Sequence, residues 1–225
     1  MSNSNPNDKE LAKYILDAEL KYFSEAFWNN EASGETRVQF LLTFVTAVIS
    51  ALVALATAAK VGTPSGTELA PWIDMTKVAW ISIFALGSLL LLGSFTFLRI
   101  VRRNCVTDEY KVASDYVRRC YKKLFASADF QDYKPFPKMP PGKPKLGGLA
   151  HLVASINGII LAALVFMLKA NHTEKGLEWT SADQAALVAF ALALFFVLIQ
   201  IGWAQRTRHD YENAVRAKYK EIGPS

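Results

Sequence analysis

The chain is poor in the residues that carry chemistry, with three histidines and two cysteines among its 225 residues. His151, His172 and His209 stand in no HExxH context, and Cys105 and Cys120 form no Cys-x-x-Cys pair. No Gly-x-Ser-x-Gly elbow and no phosphate-cradling glycine loop occurs. Two cysteines without a neighbouring histidine pair make no zinc site, so each reads as a small packing residue. No catalytic residue, no metal and no cofactor is expected, and the chain is not expected to be an enzyme. Charge is also missing, but only locally. Residues 38–59, 79–98, 148–168 and 185–204 hold no Asp, Glu, Lys or Arg. A proton- or sodium-coupled carrier ordinarily buries an acid or a histidine within its spans, which disfavours that class.

What is present follows from those four runs. A helix rises 1.5 Å per residue, so about 20 residues cross the roughly 30 Å hydrocarbon core of a bilayer. Four such runs leave too little polar chain to wrap them in water. The mean hydropathy of +0.16 is modest because the runs are diluted by very polar connectors. The expected fold is all-α: a polytopic membrane protein with four transmembrane helices and cytoplasmic helical extensions.

Basic residues orient the chain. Of the 25 Lys and Arg, 21 lie in residues 1–37, 99–147 and 205–225, and four lie in 60–78 and 169–184. The excess of Lys and Arg in cytoplasmic loops then puts both termini and the central connector inside. The organisation reads as a cytoplasmic amphipathic helix (1–37), first span (38–59), external loop (60–78) and second span (79–98). A cytoplasmic helical arm (99–132), a Pro/Lys-rich linker (133–147) and the third span (148–168) follow. An external loop (169–184), the fourth span (185–204) and a tail helix (205–225) complete it. No cleavable signal peptide is read, because the first apolar run begins only at Val38. The expected location is the cytoplasmic (inner) membrane, crossed several times. The net charge of +5 is assigned to anionic headgroups at the membrane edge, with Arg99, Arg102 and Arg103 snorkelling there. Nucleic acid is not expected to be contacted directly.

In the N-terminal helix, Leu11, Ile15, Ala18 and Tyr22 recur at helical spacing, with Leu20, Phe23 and Phe27 broadening the apolar face. More acid than base flanks that face, which suits packing against protein better than lying on lipid. Ala32-Ser33-Gly34 reads as a break before the first span. Beyond the second span, Val106, Tyr110, Ala113, Val117, Cys120, Tyr121 and Leu124 continue at nearly heptad spacing. Tyr110, Val117, Tyr121 and Leu124 are thus candidates for a seam to a second copy or to a soluble cytoplasmic partner. Five prolines in 133–147 exclude helix there and favour an extended spacer.

Inside the spans, Thr43, Thr46, Ser50 and Thr57 form a hydroxyl row on the first. They could line a water path or pack on a helix, with Asn157 of the third span as the partner in the packing case. Ala154, Gly158 and Ala162, and Ala185, Ala189 and Ala193, are small residues spaced by four, which lets helices approach closely in lipid. Asn157 and Gln200 are the amides within the runs suited to an interhelix hydrogen bond or a pore.

The run Ser33-Gly34-Glu35-Thr36-Arg37-Val38-Gln39-Phe40-Leu41-Leu42-Thr43-Phe44-Val45-Thr46-Ala47 resembles the entry to the first span in small bacterial membrane proteins, among them the octameric membrane proteins of the RipA family. The layout of a span hairpin plus a helix is similar to that of the SLATT effectors linked to phage-defence operons. The resemblance implies an oligomeric bacterial inner-membrane protein, a pore-forming or membrane-damaging effector controlled from the cytoplasm. A non-conducting scaffold that recruits a soluble partner is the alternative, and a small carrier is the third class.

Overall fold

The computed structural model describes residues 6–61, 75–124, 148–171 and 179–221. The described residues form four helices: α1 (Pro6–Val61), α2 (Met75–Leu124), α3 (Leu149–Asn171) and α4 (Trp179–Glu221). Each is long and apolar enough to cross a membrane. The linker at 133–147, residues 62–74 and 172–178 of the expected external loops, and the side chains of Tyr121 and Leu124 lie outside the described residues.

Helix ends follow local chemistry. Pro6 stands in the first turn of α1, where a missing N–H costs no hydrogen bond. Gly148 precedes α3 with φ +100°, a conformation open to glycine. Its carbonyl accepts from His151 N at 3.1 Å and Leu152 N at 3.2 Å, which starts the helix. One expectation is corrected here. α1 runs without interruption through Ala32-Ser33-Gly34 for 56 residues. The apolar and polar patterns change at that point, but the helical hydrogen bonding does not. The reason is a neighbour that fills the space above Gly34, described below.

The chain divides into two compact units. The first contains α1 up to Glu35, α2 from Val101 and α4 from Gln205. Its α1 turns Ala12, Leu16, Leu20, Phe23, Phe27, Asn30 and Gly34 inward, at steps of three and four. Buried Val101, Cys105, Ala113 and Val117 of α2 and Val215 of α4 complete that core. Leu11, Ile15, Ala18 and Tyr22, expected as the packing face, are exposed instead. The residues expected only to broaden the face are the ones that pack.

The second unit contains Thr36–Ile100 and Leu146–Ala204. Val78, Ser82, Leu86, Leu89, Gly93, Phe97 and Ile100 make an unbroken buried seam on α2. Also buried in this unit are Val38, Leu41 and Val45 of α1, Val153, Ala154 and Asn157 of α3, and Ala185, Ala189 and Ala193 of α4. α1 is the least covered helix: 11% of its apolar stretch is buried, against 22–28% for the other three. The outward side chains are large and apolar on every helix, Phe44, Phe84, Ile159 and Phe190 among them. A unit that turns such residues outward is built for a non-aqueous or protein surrounding.

Candidate functional site

Among the described residues the notable chemistry is a set of polar nodes at helix crossings. The first lies between α1 and α2. Arg103 is 8% exposed, and a buried guanidinium is tolerable only when paired and hydrogen-bonded. Its Nη1 donates to the backbone carbonyls of Glu31 at 3.0 Å and Asn30 at 3.4 Å. Its Nη2 donates to Asn104 Oδ1 at 3.1 Å, and the Glu31 carboxylate stands 3.8 Å away. Nε has no partner. Asn30 returns the contact, its Nδ2 donating to Arg103 O at 3.1 Å and to Thr107 Oγ1 at 2.7 Å. The Thr107 hydroxyl donates onward to Glu31 Oε1 at 3.3 Å. Gly34 makes this possible, because a Cβ there would overlap the Arg103 guanidinium.

Arg103 was expected at the membrane edge beside Arg99 and Arg102. Arg99 and Arg102 are exposed, but Arg103 turns inward onto α1. The carbonyls of α1 offer a fixed set of acceptors that needs no particular side chain, and the glycine clears the way to them.

The second node joins α2 to α4. Arg208 Nε and Nη2 grip the two carboxylate oxygens of Asp108, with Nη2 to Oδ1 at 2.6 Å. The Asp108 side chain is 10% exposed and that of Arg208 28%, so the pair is shielded on the α2 side. The Asp108 hydrogen bond is the main cause that raises the Arg208 guanidinium above its ordinary value. Burial raises the neighbouring Cys105 thiol, and the charge of Asp108 adds to it while Arg208 opposes it. One turn along α4, the Tyr211 hydroxyl donates to Glu109 Oε2 at 2.7 Å. That bond, with some burial, pushes the Tyr211 hydroxyl up to about 12.

Two of the four candidate seam residues on α2, Tyr110 and Val117, are engaged within this unit. Val117 is buried, and the Tyr110 ring lies against Phe23 of α1, centroids 6.4 Å apart. Lys111 Nζ sits 5.3 Å above the Phe27 ring, a cation–π contact that caps the same face.

The third node is in the second unit. Asn157 is fully buried, and its Nδ2 donates to Gln200 Oε1 at 3.5 Å, linking α3 to α4. Its Oδ1 has no donor and points at α2, where a Cβ on Gly93 would overlap it. Gly158 lies one residue on; a Cβ there would overlap Val197 Cγ2 and stand 3.5 Å from the Ala193 carbonyl. The small residues of α3 and α4 thus face each other at close approach.

Thr43, Thr46, Ser50 and Thr57 are all exposed, which removes the expected packing of this row on Asn157. Asn157 is occupied by Gln200 and Gly93, and α1 turns its Val38-Leu41-Val45 side inward instead. Two of the hydroxyls donate to their own helix, Thr46 to Leu42 O at 2.9 Å and Thr57 to Val53 O at 2.8 Å.

Sequence reasoning missed Asn30, Glu31, Gly34, Gly93, Thr107, Asp108, Glu109, Arg208 and Tyr211. Glycine inside an otherwise strong helical run was the available signal for Gly34 and Gly93. The Asp108–Arg208 pair spans 100 positions and leaves no local trace. Among the described residues no three His, Cys, Asp or Glu side chains gather as a metal site would require. Comparison with protein-family models, with curated proteins and with solved structures finds no match to this chain. Fold and nodes together define an all-helical protein with four helices of membrane-spanning length and apolarity.

Proposed function

We propose that this chain is a multi-pass protein of the bacterial inner membrane, with both termini in the cytoplasm, that works as a homo-oligomer. In this reading it is a regulated pore-forming or membrane-disrupting effector of the phage-defence type, controlled through its cytoplasmic helices. The observation that carries the reading is the outward-facing hydroxyl row on α1, the helix least covered by its own protomer. A ring of such helices from several copies would turn Thr43, Thr46, Ser50 and Thr57 toward a shared axis. Hydroxyls hydrate a narrow path without fixed charge, so passage would be weakly selective. The polar nodes on α2 support control, because a signal that moves α1 or α4 is felt through Arg103 or Asp108.

A non-conducting scaffold is the second reading. It is favoured by the bonds of Thr46 and Thr57 to their own carbonyls, which leave those hydroxyls content against lipid or another helix. Ion flux through liposomes holding the parent chain separates the two. In the effector reading Ser50→Leu lowers the flux without loss of membrane expression, and Thr46→Lys abolishes cation passage. A parent that assembles and stays tight under activating conditions refutes the effector reading in favour of the scaffold.

A further inference from the structure

Arg37 and Arg99 border the charge-free runs of α1 and α2, and both are exposed. Among the described residues neither makes an ion pair or a hydrogen bond, whereas Arg103, Arg208 and Arg216 all do. Helix register places the two together. Phe23 meets Tyr110, Asn30 meets Thr107 and Gly34 meets Arg103, so α1 and α2 run antiparallel. Both helices continue unbroken past these contacts, and Arg37 and Arg99 belong to the second unit. Arg37 is three residues past Gly34 and Arg99 four before Arg103, so they stand level. Packed helices lie about 8–10 Å apart, within the reach of two arginine side chains.

They also turn to one side. A helix advances about 100° per residue. Arg37, Phe40 and Phe44 each precede a buried residue of α1 (Val38, Leu41 and Val45), so they form one row beside its covered face. On α2, Arg99 precedes buried Ile100, and exposed Phe95 lies one turn from Arg99. In antiparallel helices, the position before the facing residue falls on the same side of the groove on both. Two arginines thus stand over a patch of exposed rings. Phe40 and Phe95 are 64% and 62% exposed, and Phe40 stacks on Phe44 with centroids 6.2 Å apart. Glu35 follows Gly34 and turns to the opposite side, which leaves the Arg37-Phe40-Phe44 row without an acid. Neighbouring cations repel, and more strongly beside a low-dielectric phase. A phosphate accepts from two guanidinium forks at once. Basic sites between spans on the cytoplasmic side suit anionic headgroups in this way. A free phosphate would use the arginines alone, whereas a phospholipid uses the arginines and the rings.

We propose that Arg37 and Arg99 together bind the phosphate of one anionic phospholipid of the inner leaflet, whose acyl chains lie over Phe40, Phe44 and Phe95. This rests on the membrane insertion and orientation proposed above. The test uses the full chain extracted from membranes in a mild detergent, delipidated, and titrated with phosphatidylglycerol or phosphatidylcholine under native mass spectrometry. The parent should retain one phosphatidylglycerol in preference to phosphatidylcholine. Arg37→Gln and Arg99→Gln should each weaken that retention about tenfold, the loss of one charge-assisted hydrogen bond. Arg206→Gln with Arg216→Gln removes the same charge as the double variant from exposed positions of α4 and should leave retention unchanged. Phe40→Ala with Phe95→Ala should weaken it several-fold while both arginines remain. A parent that holds phosphatidylcholine equally well overturns the site, as does equal retention by the parent and the Arg37→Gln/Arg99→Gln chain. Unchanged retention in the Phe40→Ala/Phe95→Ala chain, with displacement by inorganic phosphate, makes it a free-anion site and overturns the lipid. A parent absent from the membrane fraction brings down the membrane reading and the site together.

Discussion

Replacing Gly34 with alanine sets two effects of opposite sign against each other. In an open helix the change should stabilise by about 1 kcal/mol, because glycine is the weaker helix former. Here the new Cβ would overlap Nη1, Nε and Cζ of Arg103, so the guanidinium has to move. Moving it endangers its bonds to the Glu31 and Asn30 carbonyls and to Asn104. A hydrogen bond to a charged group contributes about 1.5–3 kcal/mol, so losing one outweighs the gain in helix propensity. Losing two leaves a net cost on the order of 2–5 kcal/mol. Arg103→Ala is costly alone, since it strips donors from Asn104 and Glu31, but it empties the space above Gly34. In that background Gly34→Ala should become stabilising by about 1 kcal/mol, a reversal of sign and a coupling of roughly 3–6 kcal/mol if two bonds are lost. Unfolding of the micelle-solubilised protein in increasing dodecyl sulfate, followed by tryptophan fluorescence, reads all four members of the cycle. If Gly34→Ala stabilises equally with and without Arg103, the packing argument is refuted.

The same unfolding assay reads three further variants. Asp108→Asn should destabilise by about 2 kcal/mol, below the 3–5 kcal/mol of a fully buried pair because Arg208 reaches solvent on one side; an unchanged midpoint would show that the pair contributes nothing. Gly93→Ala should lower stability by pressing on Asn157 Oδ1, and Asn157→Ala should relieve most of that cost in the double variant. Tyr211, whose hydroxyl is pushed up to about 12 in the folded state, adds stability below its unfolded value near 10, which is lost as pH rises from there to about 12. The midpoint difference between parent and Tyr211→Phe should therefore shrink over that window, and a constant difference would contradict the Glu109 bond. Cys105, buried and with its thiol raised, should resist maleimide near neutral pH in the folded protein and react once unfolded.

The helices were legible because each apolar run exceeds what a soluble helix of this size can hide, and four of them appear in the structure. The seam from Tyr110 to Val117 was legible as periodicity, but not which helix would close it. A heptad pattern fixes a face and leaves the partner open. The face of the N-terminal helix was misjudged because that helix is apolar on two sides. Leu16, Leu20 and Phe23 point one way and Leu11, Ile15 and Tyr22 another, and composition alone ranks them equally. Gly34 looked like a break because a glycine beside a serine ends many helices. The guanidinium that occupies its missing side chain comes from a residue 69 positions away. Arg103 was assigned to headgroups by its place after an apolar run, a rule that holds for the exposed Arg99 and Arg102. Long-range polar pairs such as Asp108–Arg208 were invisible because either residue alone is an ordinary surface charge.

The proposed topology is the claim on which the functional reading stands, and accessibility to a membrane-impermeant maleimide tests it most directly. Single cysteines would be introduced into a chain whose Cys105 and Cys120 are serine, and labelled in intact spheroplasts before and after permeabilisation. Cysteines at Ser65 and Gly176, in the two connectors poor in basic residues, should label at once. Cysteines at Ser24 and Asn213, both on exposed positions of the first unit, should label only after permeabilisation. Labelling of Ser24→Cys and Asn213→Cys in intact spheroplasts would contradict the account, because the helices proposed to receive a cytoplasmic signal would then face the outside.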